Sequence, residues 1–201
     1  ASVGGKLGID FQNYKNHIGV FNQPQAVFID TNFLETLDER EIRSGFAEII
    51  KHCLIQDKAK WKELINIPYE KQDWEDLNKH SVAIKEYVTE NDPQEKGLRK
   101  ILNFGHTIGH AIESFYLDIA LESNTERKFL HGEAIAIGMI CESFVAKEKG
   151  FIDENELKEI SSYVLSIYGH FPINEKNIHE MISLTIHDKK NENNVVLASL
   201  L

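Results

Sequence analysis

Leu98-Arg99-Lys100-Ile101-Leu102-Asn103-Phe104-Gly105-His106-Thr107-Ile108-Gly109-His110-Ala111-Ile112-Glu113-Ser114-Phe115 is the stretch on which the reading of this chain turns. Extended to residue 120, it reads as one long helix. At 100° per residue, Arg99, Asn103, His106, His110 and Glu113 share an arc of about 80°. Ile101, Ile108, Ile112, Phe115 and Ile119 line the far side. A solvated helix face usually carries Lys, Glu and Gln, whereas His and Asn are poorer helix formers. Gly105 and Gly109 lie beside the polar stripe and cost roughly 1 kcal/mol each relative to Ala. Close approach of another backbone or of a ligand is the usual compensation. A histidine pair four residues apart is a weak signal alone; with Asn, Arg and two glycines beside it, the stripe points to a metal or catalytic site.

Downstream, Leu130-His131-Gly132-Glu133 opens a nearly all-apolar helix from Ala134 to Ala146, interrupted by Glu142. His131 fits two roles there, a cap for that helix or a third ligand delivered from a neighbouring element. Two imidazoles and a carboxylate with one open position make a usual catalytic zinc site. The chain has no His-Glu-x-x-His, which excludes the metalloprotease version, and Gly4-Gly5-Lys6 lacks the spacing of a Walker A loop.

Upstream, Asp38 precedes a helix over 39–56, with Glu41 in capping-box spacing. Its apolar stripe is Ile42, Phe46, Ile49, Ile50 and Cys53, and Glu48 and Lys51 fall opposite with Ser44 and Ala47. That spacing fits a solvated ion pair worth a few tenths of a kcal/mol. That solvated pair is the expected reading, although the small neighbours also leave room for a ligand. The segment 74–90 carries Trp74, Leu77, Ser81, Ile84 and Val88 on one stripe, with Lys85 at its edge. Such a lysine can snorkel to water or reach into a cleft.

The rest of the 201 residues frames these helices. With 42% hydrophobic and 27% charged residues the chain has the composition of a globular protein rather than a disordered one. A formal charge of −10 argues against nucleic acid or an anionic membrane as partner. The most apolar run, 134–146, is too short to span a bilayer. Cys53 and Cys141 sit in apolar helical patterns and read as reduced core residues of a cytoplasmic protein. Residues 1–37 differ in character: a glycine-rich start, a polar turn near Asn13–Asn16, and Gln25–Asp30 as a buried strand. From Asp38 to Ile186 the pattern is helical, then a turn at Asn191–Asn194 leads to an apolar strand at Val195–Leu201. The expected fold is mainly α, with a short β/loop portion at 1–37 and a helical domain over 38–201.

Taken in order, these segments resemble the dehydroquinate synthase family of sugar-phosphate cyclases. The resemblance lies in Ser2-Val3-Gly4-Gly5-Lys6, Lys15-Asn16 with Ile18-Gly19, Gln23-Pro24-Gln25-Ala26-Val27, and Phe33-Leu34-Glu35-Thr36-Leu37. It continues in Gly45-Phe46-Ala47-Glu48-Ile49-Ile50-Lys51, Gly97-Leu98-Arg99 and Leu102–Thr107 with Gly109–Glu113. His131-Gly132-Glu133-Ala134 and Asp188-Lys189-Lys190 complete it. It covers nearly the whole chain, and the two histidine motifs are specific when found together.

The resemblance implies the multi-helical C-terminal domain of that fold, with 1–37 a remnant of an N-terminal nucleotide-binding α/β domain. It implies a divalent metal, zinc or cobalt, on Glu48, His106 and His131. His110, Lys51, Lys85, Arg99 and Asn103 would serve catalysis. Lys6, Asn16, Lys189 and Lys190 would meet the substrate, and Lys15, Phe33, Leu34, Glu35, Thr36 and Ser44 would touch NAD. The implied reaction converts 3-deoxy-arabino-heptulosonate 7-phosphate to 3-dehydroquinate and phosphate in the shikimate pathway, in a homodimer acting on a small phosphorylated keto-sugar acid. The family's glycine-rich NAD loop is not found in this sequence, nor is the Asp that precedes the Ser-Val-Gly-Gly-Lys motif, and its last helices are not evident. The chain alone is therefore expected to turn nothing over. Two readings stand beside this one: another sugar-phosphate cyclase or a metal-dependent polyol dehydrogenase, and a helical domain that packs without catalysis.

Overall fold

The computed structural model describes residues 3–11, 14–123, 129–171, 173–186 and 198–201, and their side chains except at 10–18, 118, 120–123 and 186. Among these the chain is mainly helical. An antiparallel hairpin of β1 (Lys6–Phe11) and β2 (Tyr14–Phe21) pairs Lys6 with Phe21 and Gly8 with Gly19. A 3-10 turn (Thr31–Thr36) leads into α1 (Glu39–Gln56) and α2 (Lys58–Asn66). Then come α3 (Trp74–Asn91), a second 3-10 turn (Leu98–Asn103) and α4 (His106–Ser123). The chain continues with α5 (His131–Glu148), α6 (Glu154–Tyr168) and α7 (Glu175–Ile186).

Helix α5 is the hub. It is apolar all round and buries Ala134, Ile135, Ala136, Ile137 and Met139, the signature of a helix enclosed by others. It packs on α1, α4 and α6. The main core joins Phe46, Ile50, Trp61, Leu64, Phe104, Ile135, Met139 and Val164, with Phe46 edge-on to Tyr69 and Trp74 at 5.3 and 5.6 Å between ring centres. Helix α1 starts where its sequence indicates, Asp38 accepting from the Arg40 amide at 2.8 Å.

Glycines set how closely the helices approach. A Cβ on Gly132 would lie 1.9 Å from the Ser44 carbonyl oxygen of α1. One on Gly138 would lie 2.0 Å from the Gly105 oxygen, and one on Gly109 3.0 Å from the Ala134 oxygen. Three backbones therefore converge near the start of α4, and the residues beside these glycines face one another.

Three expectations need correcting. The single helix over 98–120 is broken: Leu98–Asn103 is a 3-10 turn, and Gly105 has φ +77° before α4 begins at His106. Gly105 is thus a turn glycine that also lets α5 approach, and not a costly interior one. The strand expected over Gln25–Asp30 is irregular, with Val27, Phe28 and Ile29 at 38, 95 and 54% exposure. An apolar run becomes a buried strand only with a ladder partner and a face to cover, and residues 25–30 have neither among the described residues. Residues 198–201 form no strand; Ser199 donates to the Lys100 oxygen and Leu201 packs on the core. The turn at 191–194 lies outside the described residues. Both cysteines are unpaired, as expected, and no helix among the described residues is long and apolar enough to cross a membrane.

Candidate metal and anion site

The convergence of α1, α4 and α5 assembles the site. Glu48 and Lys51 are one turn apart on α1, and the face expected to be open to solvent is covered. Lys51 is only 2% exposed, and its Nζ donates to Glu48 Oε2 at 2.7 Å. The Glu48 side chain keeps 32% of its exposure, yet its Oε1 is buried and has no hydrogen-bond partner. That oxygen faces His106 Nε2 at 3.5 Å and His131 Nε2 at 4.0 Å.

Both imidazoles are held from behind. His106 Nδ1 sits 3.1 Å from the Phe104 carbonyl oxygen, and His131 Nδ1 3.1 Å from Glu113 Oε2. An acceptor at Nδ1 places the proton there and leaves the Nε2 lone pair directed at Glu48. His131 occupies the first turn of α5, anchored by Gly132 N–H donating to Ser44 Oγ at 3.0 Å. A two-pronged pair adds to this, from Arg40 to Glu133 at 2.6 and 2.7 Å.

The electrostatics suit a cation. Burial would raise the Glu48 carboxyl, but Lys51, His106 and the Lys51 hydrogen bond outweigh it and hold the group well below the usual carboxylate range. Burial, with Lys51 adding to it and Glu48 opposing, pushes His106 well below the ordinary histidine value, so the ring is neutral at pH 7. A neutral imidazole and a carboxylate are the forms that ligate metal. With metal–ligand bonds of 2.0–2.1 Å, tetrahedral ligand atoms lie about 3.4 Å apart. The separations of 3.5 and 4.0 Å are close to that edge, and an ion would satisfy the unpartnered Oε1. His106, His110 and His131 also bring one ring nitrogen each within 4.8 Å of one another. The residues present fit a divalent ion, and the Glu48 set fits more closely because it answers the buried oxygen.

Cations flank this point. Lys85 on α3 is half-buried and has no hydrogen-bond or ion-pair partner among the described residues. Burial pulls its ammonium below the ordinary lysine value, with Glu48 opposing and Lys51, Arg99 and Lys6 adding. Arg99 is buried, donating to the Pro93 and Gly4 carbonyl oxygens at 3.0 and 2.8 Å, with Phe21 against its guanidinium. It thus ties the hairpin to the helical body. Asn103 Nδ2 donates to Glu95 Oε1 at 2.8 Å, and Lys6 pairs with the same carboxylate. His110 lies beside His106, ring centres 5.2 Å apart. Phe33, Leu34, Glu35 and Thr36 form the 3-10 turn before α1, with Phe33 77% exposed. The side chains of Lys15 and Asn16, and all of Lys189 and Lys190, lie outside the described residues.

Two residues escaped the sequence reading. Glu95, at φ +58°, bridges Lys6 and Asn103 from a loop shaped by Asp92, which accepts from the Lys96, Gly97 and Arg99 amides; only the Asp-Pro start of the loop hinted at it. Glu142 is fully buried on α5 and was legible only as an acid in an apolar run.

His52, next to Lys51, is 3% exposed, pairs with Ser81 Oγ at 2.6 Å, and is pushed down to about 3 by burial and Lys51. Between pH 6.5 and 3 the unfolded state binds a proton at this residue that the folded state does not. Stability is therefore complete above pH 6.5 and falls on acidification, by about 1.4 kcal/mol per pH unit for one such group. Urea midpoints from pH 7 to 5 should fall, and less steeply in His52→Gln. A flat profile would contradict the neutral buried ring.

A family model described as 3-dehydroquinate synthase C-terminal matches residues 45–191, and one described as 3-dehydroquinate synthase N-terminal matches residues 1–44. The chain belongs to the 3-dehydroquinate synthase family. The 3-dehydroquinate synthases of Parabacteroides distasonis and Clostridium beijerinckii are each 39% identical over 100% of this chain and 56% of their own length. The chain thus spans little more than half the length of these relatives. Among solved structures, 2-epi-5-epi-valiolone synthase from Streptomyces hygroscopicus subsp. jinggangensis, with NAD+ and Zn2+ bound, matches 92% of this chain and 52% of its own, with a TM-score of 0.73 and 25% identity. A 2-deoxy-scyllo-inosose synthase complexed with carbaglucose-6-phosphate, NAD+ and Co2+ matches 93% of this chain and 50% of its own, at 0.71 and 27%. Both matches are consistent with the helical architecture of this 3-dehydroquinate synthase family member.

Proposed function

We propose that this chain carries the metal- and substrate-binding side chains of a 3-dehydroquinate synthase. The enzyme would convert 3-deoxy-arabino-heptulosonate 7-phosphate to 3-dehydroquinate and phosphate with NAD and a divalent ion. One observation carries the reading: the buried, unpartnered Glu48 Oε1 faces the Nε2 atoms of His106 and His131. Glu48, His106 and His131 would hold the ion. When bound, the ion and NAD supply polarisation of substrate hydroxyls and hydride acceptance and return. Because the hydride is returned, the net conversion is redox-neutral and releases one phosphate.

The chain's own residues do the rest. Lys51 keeps Glu48 ionised and fixes which carboxylate oxygen is left over. Lys85, lacking a partner of its own among the described residues, binds an anionic group of the substrate. Asn103 and Lys6, oriented by Glu95, and Asn16 contact hydroxyl or anionic groups, joined by Lys189 and Lys190. His110, next to His106, donates to the phosphate or carries a proton. Arg99 orders this wall through Gly4 and Pro93 and adds positive charge for a carboxylate. Lys15, Phe33, Leu34, Glu35, Thr36 and Ser44 lie on the NAD side. We place the enzyme in the cytoplasm as a homodimer, with zinc or cobalt as the ion.

The solved cyclases with this architecture favour one second reading, a related cyclase acting on a sugar phosphate without a carboxylate. The test is phosphate release by the whole protein, supplied with NAD and Zn2+ or Co2+. The expected result is turnover of the heptulosonate phosphate and at least about 100-fold less with phosphorylated sugars lacking the carboxylate, since an unmatched buried cation costs several kcal/mol. The reverse preference would support the second reading; turnover of neither would end both.

A further inference from the structure

Glu142 takes no part in the site described above, yet it is fully buried on the apolar helix α5. Its Oε2 accepts from the Gly105 amide at 2.7 Å, and its Oε1 from the Thr107 and Ile108 amides at 3.1 and 3.2 Å. The Thr107 and Ile108 amides belong to the first turn of α4 and the Gly105 amide to the residue just before it, positions where a helix supplies no acceptor of its own. Gly105, which precedes that turn, has no side chain to cap it. A carboxylate from a different helix therefore does the work of an N-cap, placed where the helix dipole favours negative charge. Burying a carboxylate inside an apolar helix is costly, and a residue of similar size such as leucine would pack there without that cost.

The amides it binds flank His106 on both sides. His106 is held at Nδ1 by the Phe104 oxygen, and its Nε2 points to Glu48 Oε1. A small rotation of this turn would swing the ring away from both.

We propose that Glu142 is a positioning residue: its carboxylate, delivered from α5, sets the first turn of α4 and so the direction of the His106 imidazole toward the metal site. The consequence for metal rests on the reading given under Proposed function; the positioning of the ring does not.

The test uses the whole protein, 15N-labelled and metal-free, as wild type, Glu142→Leu and Glu142→Gln. Histidine ring nitrogen shifts report the His106 tautomer, and a Co2+ titration followed by its visible absorption reports affinity. In Glu142→Leu the Nδ1–H form of His106 should lose its dominance and Co2+ should bind about 10–100-fold more weakly, the usual range for a residue that orients a ligand. Glu142→Gln keeps one acceptor oxygen and should fall between. If the leucine variant does not fold, the glutamine variant decides, with a several-fold loss expected. His106 shifts identical to wild type would overturn the proposal, whereas altered shifts with unchanged Co2+ affinity would leave the positioning standing and count against His106 as a ligand of the ion. A wild type that takes up no Co2+, while His106 changes in the variant, would leave the positioning standing and remove the metal reading.

Discussion

Replacing His106 with alanine is expected to remove metal binding and activity together while leaving the metal-free fold intact. Loss of a residue that only orients a ligand typically costs about 10–100-fold in affinity, so loss of a direct ligand should exceed about 100-fold. The fold should survive because alanine is the better helix former in the first turn of α4, and because the ring removed is one that burial already keeps uncharged. Zn2+ content of the purified whole protein, measured with phosphate release, checks this. The His110→Ala variant sharpens the result. If Glu48, His106 and His131 are the ligands, it loses activity but retains metal; if the three histidines form the set, it loses both. Normal metal content in His106→Ala would contradict the assignment.

Placing a methyl group at Gly138 is expected to be the most damaging small change in the scaffold. The new Cβ would lie 2.0 Å from the Gly105 oxygen and 2.8 Å from the Gly109 nitrogen, both backbone atoms. Neither can swing aside as a side chain would, and Gly105 is also tied to Glu142, one turn further along the same helix. Overpacking usually costs 1–3 kcal/mol, and a backbone clash of this depth belongs at about 3 kcal/mol or above. Gly45 is the contrast: it lies within α1, and a Cβ there meets nothing within 4 Å. Gly45→Ala should stabilise by up to about 1 kcal/mol. Urea denaturation of the two variants should show opposite signs, and a neutral Gly138→Ala would contradict the close crossing of α4 and α5.

How much of this was legible in sequence depended on whether the signal was local. Asp38 and the 3.6-residue stripe fixed α1, and the apolar run broken only by Glu142 marked α5 as a buried helix. The break at Phe104-Gly105 was not legible, because its cause is tertiary: a positive-φ glycine pressed against α5 and capped by Glu142. The apolar pattern at 25–30 suggested a strand, but a strand needs a partner, and pattern alone supplies none. In the site, His106 and His110 stood out through their odd company on one helix face. Glu48 and Lys51 did not, since i,i+3 spacing fits a surface pair equally well. It is the cover provided by neighbouring helices that makes Lys51 a buried cation and Glu48 Oε1 an unsatisfied acceptor. Glu95 and Glu142 act across sequence separations of 8 to 89 and of 34 to 37 residues, which no periodicity reveals.

The most direct test of the metal centre is anomalous X-ray diffraction at the zinc edge from crystals of the whole protein grown with Zn2+. The expected result is one peak about 2.0–2.2 Å from Glu48 Oε1, His106 Nε2 and His131 Nε2. A peak held by His106, His110 and His131 with Glu48 outside bonding distance, or no peak among these residues at all, would contradict it.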